Sequence, residues 1–255
     1  MIRCFKIMYV ALLLLILYCP ILVLMINSFN LSKYSVNWAG FTLDWYKNIL
    51  QNKALIQASI NSIKVSITSA TIATIIGGLS AISFLKYNYF GKKFLKSSLY
   101  ITLVIPDIIL GISFLTLFVL LKVKLGFVSL LISHIALSLP FVVITILIRL
   151  NNFNINIIEA AKDLGAGDFC IFLKIILPLI FPSILSAWII AFTLSFDDVI
   201  ISYFVSGPSY DILPLLIFSM AKIGAKPEVN AVCTIILCFS ILFVIISQLL
   251  LIKKK

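Results

Sequence analysis

Long apolar runs dominate the sequence and constrain the fold more than any other feature. Each holds about 20 residues or more, the length that a helix needs to cross roughly 30 Å of hydrocarbon. The runs occur near residues 7–27, 58–84, 98–121, 126–148, 176–204 and 230–252. They predict an all-α polytopic membrane protein in which six transmembrane helices form one domain over residues 1–255.

The composition excludes a soluble domain. The mean hydropathy is +1.20 and 62% of the residues are hydrophobic, so lipid must be the solvent for most of the chain. The net charge of +11 does not indicate nucleic acid, because the basic residues are spread along the loops and no basic run is interleaved with aromatic residues. We therefore expect membrane lipid, and no nucleic acid, among its partners.

The cysteine and histidine residues do not form a metal or redox pattern. The five cysteines lack the C-x-x-C spacing, and we interpret them as small packing residues. His134 lies inside the fourth run, where a lone polar residue more often hydrogen-bonds a neighbouring helix than binds a metal. The chain also lacks the G-x-x-x-x-G-K-[ST] phosphate loop, so we expect no cofactor and no ATPase site of its own.

Charges near the ends of the runs predict the orientation. Arg3 and Lys6 precede the first run, which is too long for a signal peptide and lacks a small-residue cleavage site. With the N-terminus inside, twelve of the 20 lysines and arginines fall in inner segments and eight in outer ones. We predict that both termini are cytoplasmic and that a cytoplasmic loop covers residues 149–175.

This loop contains a polar island, EAAKDLGAG, at residues 159–167. Asn156 followed by Glu159 has the form of an N-cap with a capping acid, which predicts a short helix. Gly165 stands where that helix would end in the left-handed conformation. A second helix is predicted from Asp168, with an apolar face formed by Phe169, Phe172, Leu173 and Ile176. Taken alone, the pattern also fits a well-capped loop in which Glu159 is only a cap.

The full stretch EAAKDLGAGDFCIFLKIILP, residues 159–178, resembles the EAA signature of binding-protein-dependent ABC importer permeases. That signature is E-A-A, three residues, G, nine residues and I-x-L-P, and every defined position is matched. The resemblance implies a type I ABC importer permease (MetI-like) fold, in which this segment is the coupling helix that docks on a separate ATPase subunit. The coupling residues that it implies are Glu159, Ala160, Ala161 and Gly165.

Further stretches are similar to the PotC-type permeases of spermidine/putrescine importers: NSFN (27–30), NWAGFTLDWY (37–46), VIPDIILGIS (104–113), SFDDVIISYFVSGPSYDILPL (195–215) and KPEVNA (226–231). This resemblance implies a permease subunit in the bacterial cytoplasmic membrane. It implies as partners a PotB-type permease, two PotA-type ATPase subunits that use the ATP, and a PotD-type periplasmic polyamine-binding protein. The alternative is a permease of the same fold for another small solute, such as an anion.

Three of the nine acids fall in the runs and are candidates for a cation path: Asp107, Asp197 and Asp198. An acid at the bilayer centre costs roughly 2.5–3.5 kcal/mol, so such residues face a cavity or a partner by default. Ser195 can hydrogen-bond along the same path, and Trp45 can stack on an ammonium group. The alternatives are that Asp107 caps a helix broken at the preceding proline, that Asp197 or Asp198 pairs with a lysine of the partner permease, and that Trp45 is an interfacial anchor.

Overall fold

The computed structural model describes residues 2–32, 37–151, 156–208, 210–224 and 226–252. Helices account for most of these residues. In chain order they are α1 (Ile2–Asn27), α2 (Asp44–Gln51), α3 (Lys53–Lys86), α4 (Lys92–Val104), α5 (Asp107–Leu120), α6 (Phe127–Asn151), α7 (Asn156–Asp163), α8 (Asp168–Ile171), a π-helical turn (Phe172–Ile176), α9 (Leu177–Asp197), α10 (Ile200–Val205), α11 (Leu213–Ile223) and α12 (Pro227–Ile252).

The chain forms two compact units. The first contains α1, α2 and α12, and α12 packs against both of the others. The segment after α1 is held by the buried Asn30, whose side-chain oxygen accepts hydrogen bonds from the backbone N–H groups of Ser32 (3.1 Å) and Ala39 (3.0 Å). The second unit runs from Gln57 to Leu215 and holds the candidate site. The single domain over residues 1–255 stays a prediction.

The core of the second unit lies between α3, α6 and α9. Alanines on α3 and α9 pack around larger aliphatic residues of α6, and the core includes Ala70, Ala73, Ala187, Ala191, Val142 and Ile146. Small residues let membrane helices approach closely, because lipid tails remove the hydrophobic drive for association and leave close packing to hold the helices together. The pair α6 and α9 forms the most extensive helix contact in this unit.

The third apolar run is broken rather than straight. The chain bends by 112° between α4 and α5, at Ile105 and Pro106. Ile105 is extended (φ −67°, ψ 129°), as expected of a residue before proline, and Pro106 has no N–H with which to continue the helix. One continuous helix over 98–121 is therefore wrong; the helix is broken at the proline, as in the alternative, but the start of α5 has no side-chain capping hydrogen bond from Asp107. Asp107 is the first residue of α5.

The fifth run, 176–204, is also divided. α9 ends at Asp197, and Asp198 is extended (φ −68°, ψ 123°) before α10 begins. The Asp198 carboxylate accepts hydrogen bonds from the backbone N–H groups of Ile201 (3.2 Å) and Ser202 (2.7 Å), which have no helical partner of their own. Asp197 and Asp198 thus lie at a helix break, where the Asp198 carboxylate stabilises the start of α10.

The helix lengths fit a multi-pass membrane protein. Among the described residues, four helical segments are long and apolar enough to cross a bilayer, and the bent pair α4–α5 would be a fifth span. The sixth predicted span lies within α12, whose 26 residues extend about 39 Å. The count of six spans stays a prediction.

Candidate functional site at two helix breaks

An open cavity of about 450 Å³ lies at the two helix breaks of the second unit. We call it the acidic cavity because Asp107, Asp197 and Asp198 all line it. Much of the remaining lining is apolar and includes Leu137 and Phe141 of α6. Three acids that are up to 91 residues apart in sequence therefore share one cavity, as expected of acids in the runs; their contact with a transported cation stays a prediction.

The three carboxylates have different surroundings. Asp107 and Asp197 are exposed, and neither carboxylate makes a hydrogen bond or ion pair with another residue that the structure describes. The Asp198 side chain is only 6% exposed and accepts hydrogen bonds from two backbone N–H groups and from the Ser202 hydroxyl (2.7 Å). Asp198 is thus satisfied within the chain, whereas the carboxylate oxygens of Asp107 and Asp197 are left to contact water or a bound cation.

A buried polar chain continues from Asp198 into the core. Nε2 of His134 lies 3.0 Å from the Ser202 hydroxyl and 3.5 Å from Asp198 Oδ2. Nδ1 of His134 lies 2.7 Å from the Ser195 hydroxyl, which accepts a hydrogen bond from Ser69 on α3 (3.0 Å). His134 is fully buried, and its predicted role as a hydrogen-bonding residue between helices is confirmed.

Ser195 occupies a different place from the one that the sequence suggested. It is 2% exposed and lies in the polar chain, outside the lining of the acidic cavity. Trp45 belongs to the first unit, where its indole N–H donates a hydrogen bond to the backbone oxygen of Asn30 (2.8 Å) and stabilises the segment after α1. The predicted roles of Ser195 and Trp45 toward a cation remain predictions.

The EAA segment (residues 159–178) begins as predicted with a helix and a glycine turn. Gly165 has φ +82°, in the left-handed region, as expected. The N–H groups of Gly165 and Ala166 bond the carbonyls of Lys162 (2.8 Å) and Ala161 (3.0 Å), which is the Schellman pattern that satisfies the last carbonyls of a helix. Glu159 and Ala160 are exposed, whereas Ala161 packs inward. α7 begins at Asn156, whose side chain, and with it the predicted N-cap, lies outside the described residues.

The second half of the EAA segment departs from the prediction. α8 begins at Asp168 as expected, but a π-helical turn follows at Phe172–Ile176 and changes the register. Phe169 is 75% exposed and Leu173 is 43% exposed, whereas Ile171 is buried. Phe169 and Leu173 of the predicted apolar face therefore lie outside the core, whereas Ile176 packs against it and Ile171 anchors α8.

Two lysines contact the start of α8. Nζ of Lys86 lies 2.9 Å from one oxygen of Asp168, and Nζ of Lys162 lies 3.9 Å from the other. Lys86 ends a helix of 34 residues that is about 51 Å long, so the pair lies beyond the hydrocarbon. The hydrogen bond to Lys86 lowers the pKa of the Asp168 carboxyl, and Asp168 raises the pKa of Lys86. Both side chains are exposed, so water screens their attraction.

The geometry and the signature together correspond to one known family. The model for the family described as "Binding-protein-dependent transport system inner membrane component" matches residues 73–254. The chain belongs to this family. It is therefore a permease subunit of an ABC transporter, and the absence of a phosphate loop from its sequence agrees with that assignment.

Several curated permeases are similar to this one. The chain is 51% identical to "Spermidine/putrescine transport system permease protein PotC" of Escherichia coli (strain K12) over 92% of this chain and 89% of that protein. The protein of the same name from Haemophilus influenzae is 48% identical over 92% of this chain and 91% of its own length. "Putrescine transport system permease protein PotI" of Escherichia coli (strain K12) is 39% identical over 87% of this chain and 81% of that protein.

A solved structure with a similar fold is a bacterial ABC transporter involved in the import of the acidic polysaccharide alginate. Its chain superposes on this permease with a TM-score of 0.72, and 96% of each chain is covered. At 15% identity, the likeness shows the MetI-like permease fold and nothing about the solute.

Sequence reasoning identified the acids but missed the polar chain behind them. Two signals were available: Ser202 follows Asp198 by four residues, and His134 is the single histidine of the sequence. Neither showed that α3, α6, α9 and α10 would meet at one point. That information comes from helix packing between residues that are distant in sequence.

Proposed function

We propose that this permease is a subunit of an ATP-driven importer of polyamines, spermidine and putrescine, and forms half of its translocation path. The observation that carries the proposal is the acidic cavity, in which three carboxylates from two helix breaks surround one space. A polyamine is a flexible polycation, so its path requires negative charge for the ammonium groups and apolar surface for the methylene groups. The identity of 51% to a spermidine/putrescine permease supports the same cargo.

The magnitude of the charge interaction supports this role. Two unit charges about 4 Å apart interact by about 4 kcal/mol at an effective dielectric near 20. Because Asp107 and Asp197 have no partner among the described residues, their attraction for an ammonium group is not reduced by an ion pair within this chain. Leu137 and Phe141 provide apolar contact for the carbon chain between the ammonium groups.

The EAA segment is the proposed contact with the ATPase subunit. Glu159 and Ala160 are exposed on α7, and Ala161 is buried against the rest of the unit. Gly165 ends the helix in a tight turn. In this proposal the segment docks on an ATPase subunit that uses the ATP. The complete importer contains a PotB-type permease, two PotA-type ATPases and a PotD-type binding protein, and both termini of this chain are cytoplasmic.

The test is uptake of labelled spermidine and putrescine by proteoliposomes that contain all four subunit types. We expect uptake that requires both ATP and the binding protein. The matched control carries an ATPase with the phosphate-loop lysine replaced, which should abolish uptake while the complex stays assembled. Uptake of an anionic solute in place of both polyamines would instead support the alternative cargo, and solute flux without ATP would contradict the importer mechanism.

A further inference from the structure

The polar chain behind Asp198 has no role in the function proposed above. It joins four helices of the second unit through Ser202 on α10, His134 on α6, Ser195 on α9 and Ser69 on α3. His134, Ser69 and Ser202 are fully buried, and Ser195 is 2% exposed. A chain of this kind is stable only when each member has its partner, because water cannot replace a lost hydrogen bond there.

The hydrogen bonds can be given a direction from Asp198. An ionised carboxylate only accepts, so the Ser202 hydroxyl donates its hydrogen to Asp198 Oδ2 (2.7 Å). The oxygen of Ser202 then accepts from Nε2 of His134 (3.0 Å), and Nδ1 of His134 lies 2.7 Å from the Ser195 hydroxyl. The Ser195 oxygen accepts from Ser69 in turn (3.0 Å). This direction places a hydrogen on Nε2 of His134.

We propose that His134 is a positioning residue that acts on Asp198 through Ser202 and holds the carboxylate at its place in the acidic cavity. Asp198 lies in the non-helical link between α9 and α10, where two backbone N–H groups and the Ser202 hydroxyl together hold its carboxylate. Ser202 can rotate its hydroxyl hydrogen away from Asp198 unless a donor occupies its oxygen, and His134 is that donor. This inference rests on the proposed function for its transport consequence, but its structural consequence is independent of the cargo.

The first test measures the start of α10 without any cargo. Hydrogen-exchange mass spectrometry on the purified complete importer would follow the amides of residues 199–206, two of which bond Asp198. His134→Leu removes both ring contacts, and we expect exchange in this peptide to become at least fivefold faster. His134→Gln carries an amide N–H to about the position of Nε2, and we expect most of the protection to return. His134→Asn reaches only the Ser195 side and should remain fast.

A matched control lies next to His134 on the same helix. The Ser133 hydroxyl is buried and has no hydrogen-bond partner among the described residues, so Ser133→Ala should leave exchange at the wild-type rate. Unchanged exchange in His134→Leu, or equal effects of Gln and Asn, would overturn the proposal. If His134→Leu fails to assemble, His134→Asn carries the same test against His134→Gln.

The second test is a double-mutant cycle on polyamine uptake. His134→Leu should lower the maximal rate at least fivefold in the wild-type background and less than twofold in the Asp198→Asn background, because the carboxylate that it positions is then absent. Equal losses in both backgrounds would show that His134 only holds the helices together. If the wild-type complex transports no polyamine while the exchange pattern is as expected, the proposed cargo fails and the positioning role stands.

Discussion

The EAA segment and the acidic cavity are two polar regions of one unit, and they are built in opposite ways. The residues that shape the turn of the EAA segment lie within six positions, from Ala161 to Ala166. The acidic cavity depends on residues from Thr102 to Ile200, and its supporting polar chain begins at Ser69. One region is encoded by local backbone preferences, whereas the other exists only after the helices have packed.

The two regions also differ in how their carboxylates are stabilised. Asp168 makes ion pairs on an exposed surface, which are typically worth little because water and salt screen them. Asp198 is almost fully buried and accepts bonds from backbone and hydroxyl donors, whose loss would leave polar groups without partners. We therefore expect carboxylate replacement to have its largest effect in the cavity.

The largest effect is expected for Asp198→Asn, which keeps the size of the side chain and removes its charge. The variant loses the attraction for an ammonium group and replaces one of the two acceptor oxygens by an NH2 donor, and a loss of about 1.4 kcal/mol already corresponds to a factor of ten. We expect uptake to fall at least tenfold in reconstituted importer. Asp197→Asn and Asp107→Asn should lower it several-fold, with spermidine more affected than putrescine because it carries one more positive charge.

The charge control for these variants is Asp44→Asn. Asp44 is an exposed residue of α2 in the first unit; it pairs with Lys47 (3.7 Å) and accepts a hydrogen bond from the Thr42 hydroxyl (3.0 Å), for which asparagine keeps an acceptor. Uptake should stay at the wild-type level. Co-purification of the partner permease must accompany each measurement, since the acids would also fit an ion pair between subunits. Wild-type uptake by all three cavity variants in assembled complexes would show that the carboxylates are not on the transport path.

The next effect concerns the EAA segment and the variant Gly165→Val. A β-branched residue in the left-handed region costs about 1–3 kcal/mol, and because no atom lies within 4 Å of a Cβ atom added there, we expect the strain to lie in the backbone. We expect uptake and cargo-stimulated ATP hydrolysis to fall together, by about fivefold, while the loaded binding protein still docks.

Gly167→Val is the matched control for that variant. Gly167 lies two residues later with equally open surroundings, but its backbone is extended (φ −69°, ψ 155°), a conformation that suits valine. Its activity should remain within twofold of the wild type. Equal loss in both variants would indicate that the ATPase cannot tolerate side chains in this loop, and normal ATP hydrolysis in Gly165→Val would show that the segment does not couple.

This contrast explains how far the sequence could predict the structure. Capping residues, the glycine turn and the proline break are local rules, and the helix start at Asp168, the φ of Gly165 and the broken third run follow from them. The sequence predicted the shared cavity only indirectly, because acids within apolar runs are expected to face a cavity or a partner. The place of Ser195, the exposure of Phe169 and the contacts of His134 depend on packing and on a π-helical turn, which residue patterns do not encode.

A smaller effect is expected where packing brings the cavity together, at Gly111 on α5. A Cβ atom there would lie 2.7 Å from the Phe204 ring and 3.3 Å from the backbone of Ile201, so α5 and α10 would have to separate. Overpacking of this kind costs about 1–3 kcal/mol. We expect Gly111→Ala to lower the melting temperature of the purified complex and to reduce uptake by two- to threefold. Gly78→Ala in α3 is the control, because its nearest atom is 3.7 Å away; an equal loss there would contradict the packing argument.

The last prediction concerns the topology of the chain. The cysteine substitutions that test it should leave uptake unchanged, and their labelling shows on which side of the membrane each region lies. Residues 28–57 and 205–229 are predicted to face outside, and residues 85–97 and 149–175 to face the cytoplasm. Gln51 and Ser97 are exposed positions in the first and third of these ranges, so single cysteines at them, without the five native cysteines, can report the topology. An impermeant maleimide should label Gln51→Cys in cells with an opened outer barrier and Ser97→Cys only after lysis.

Because Lys86 bonds Asp168 at 2.9 Å, the end of α3 and the start of α8 lie on one side of the membrane, and the Ser97 result extends to the EAA segment. Labelling in the reverse order would place the EAA segment outside, where it could not meet an ATPase.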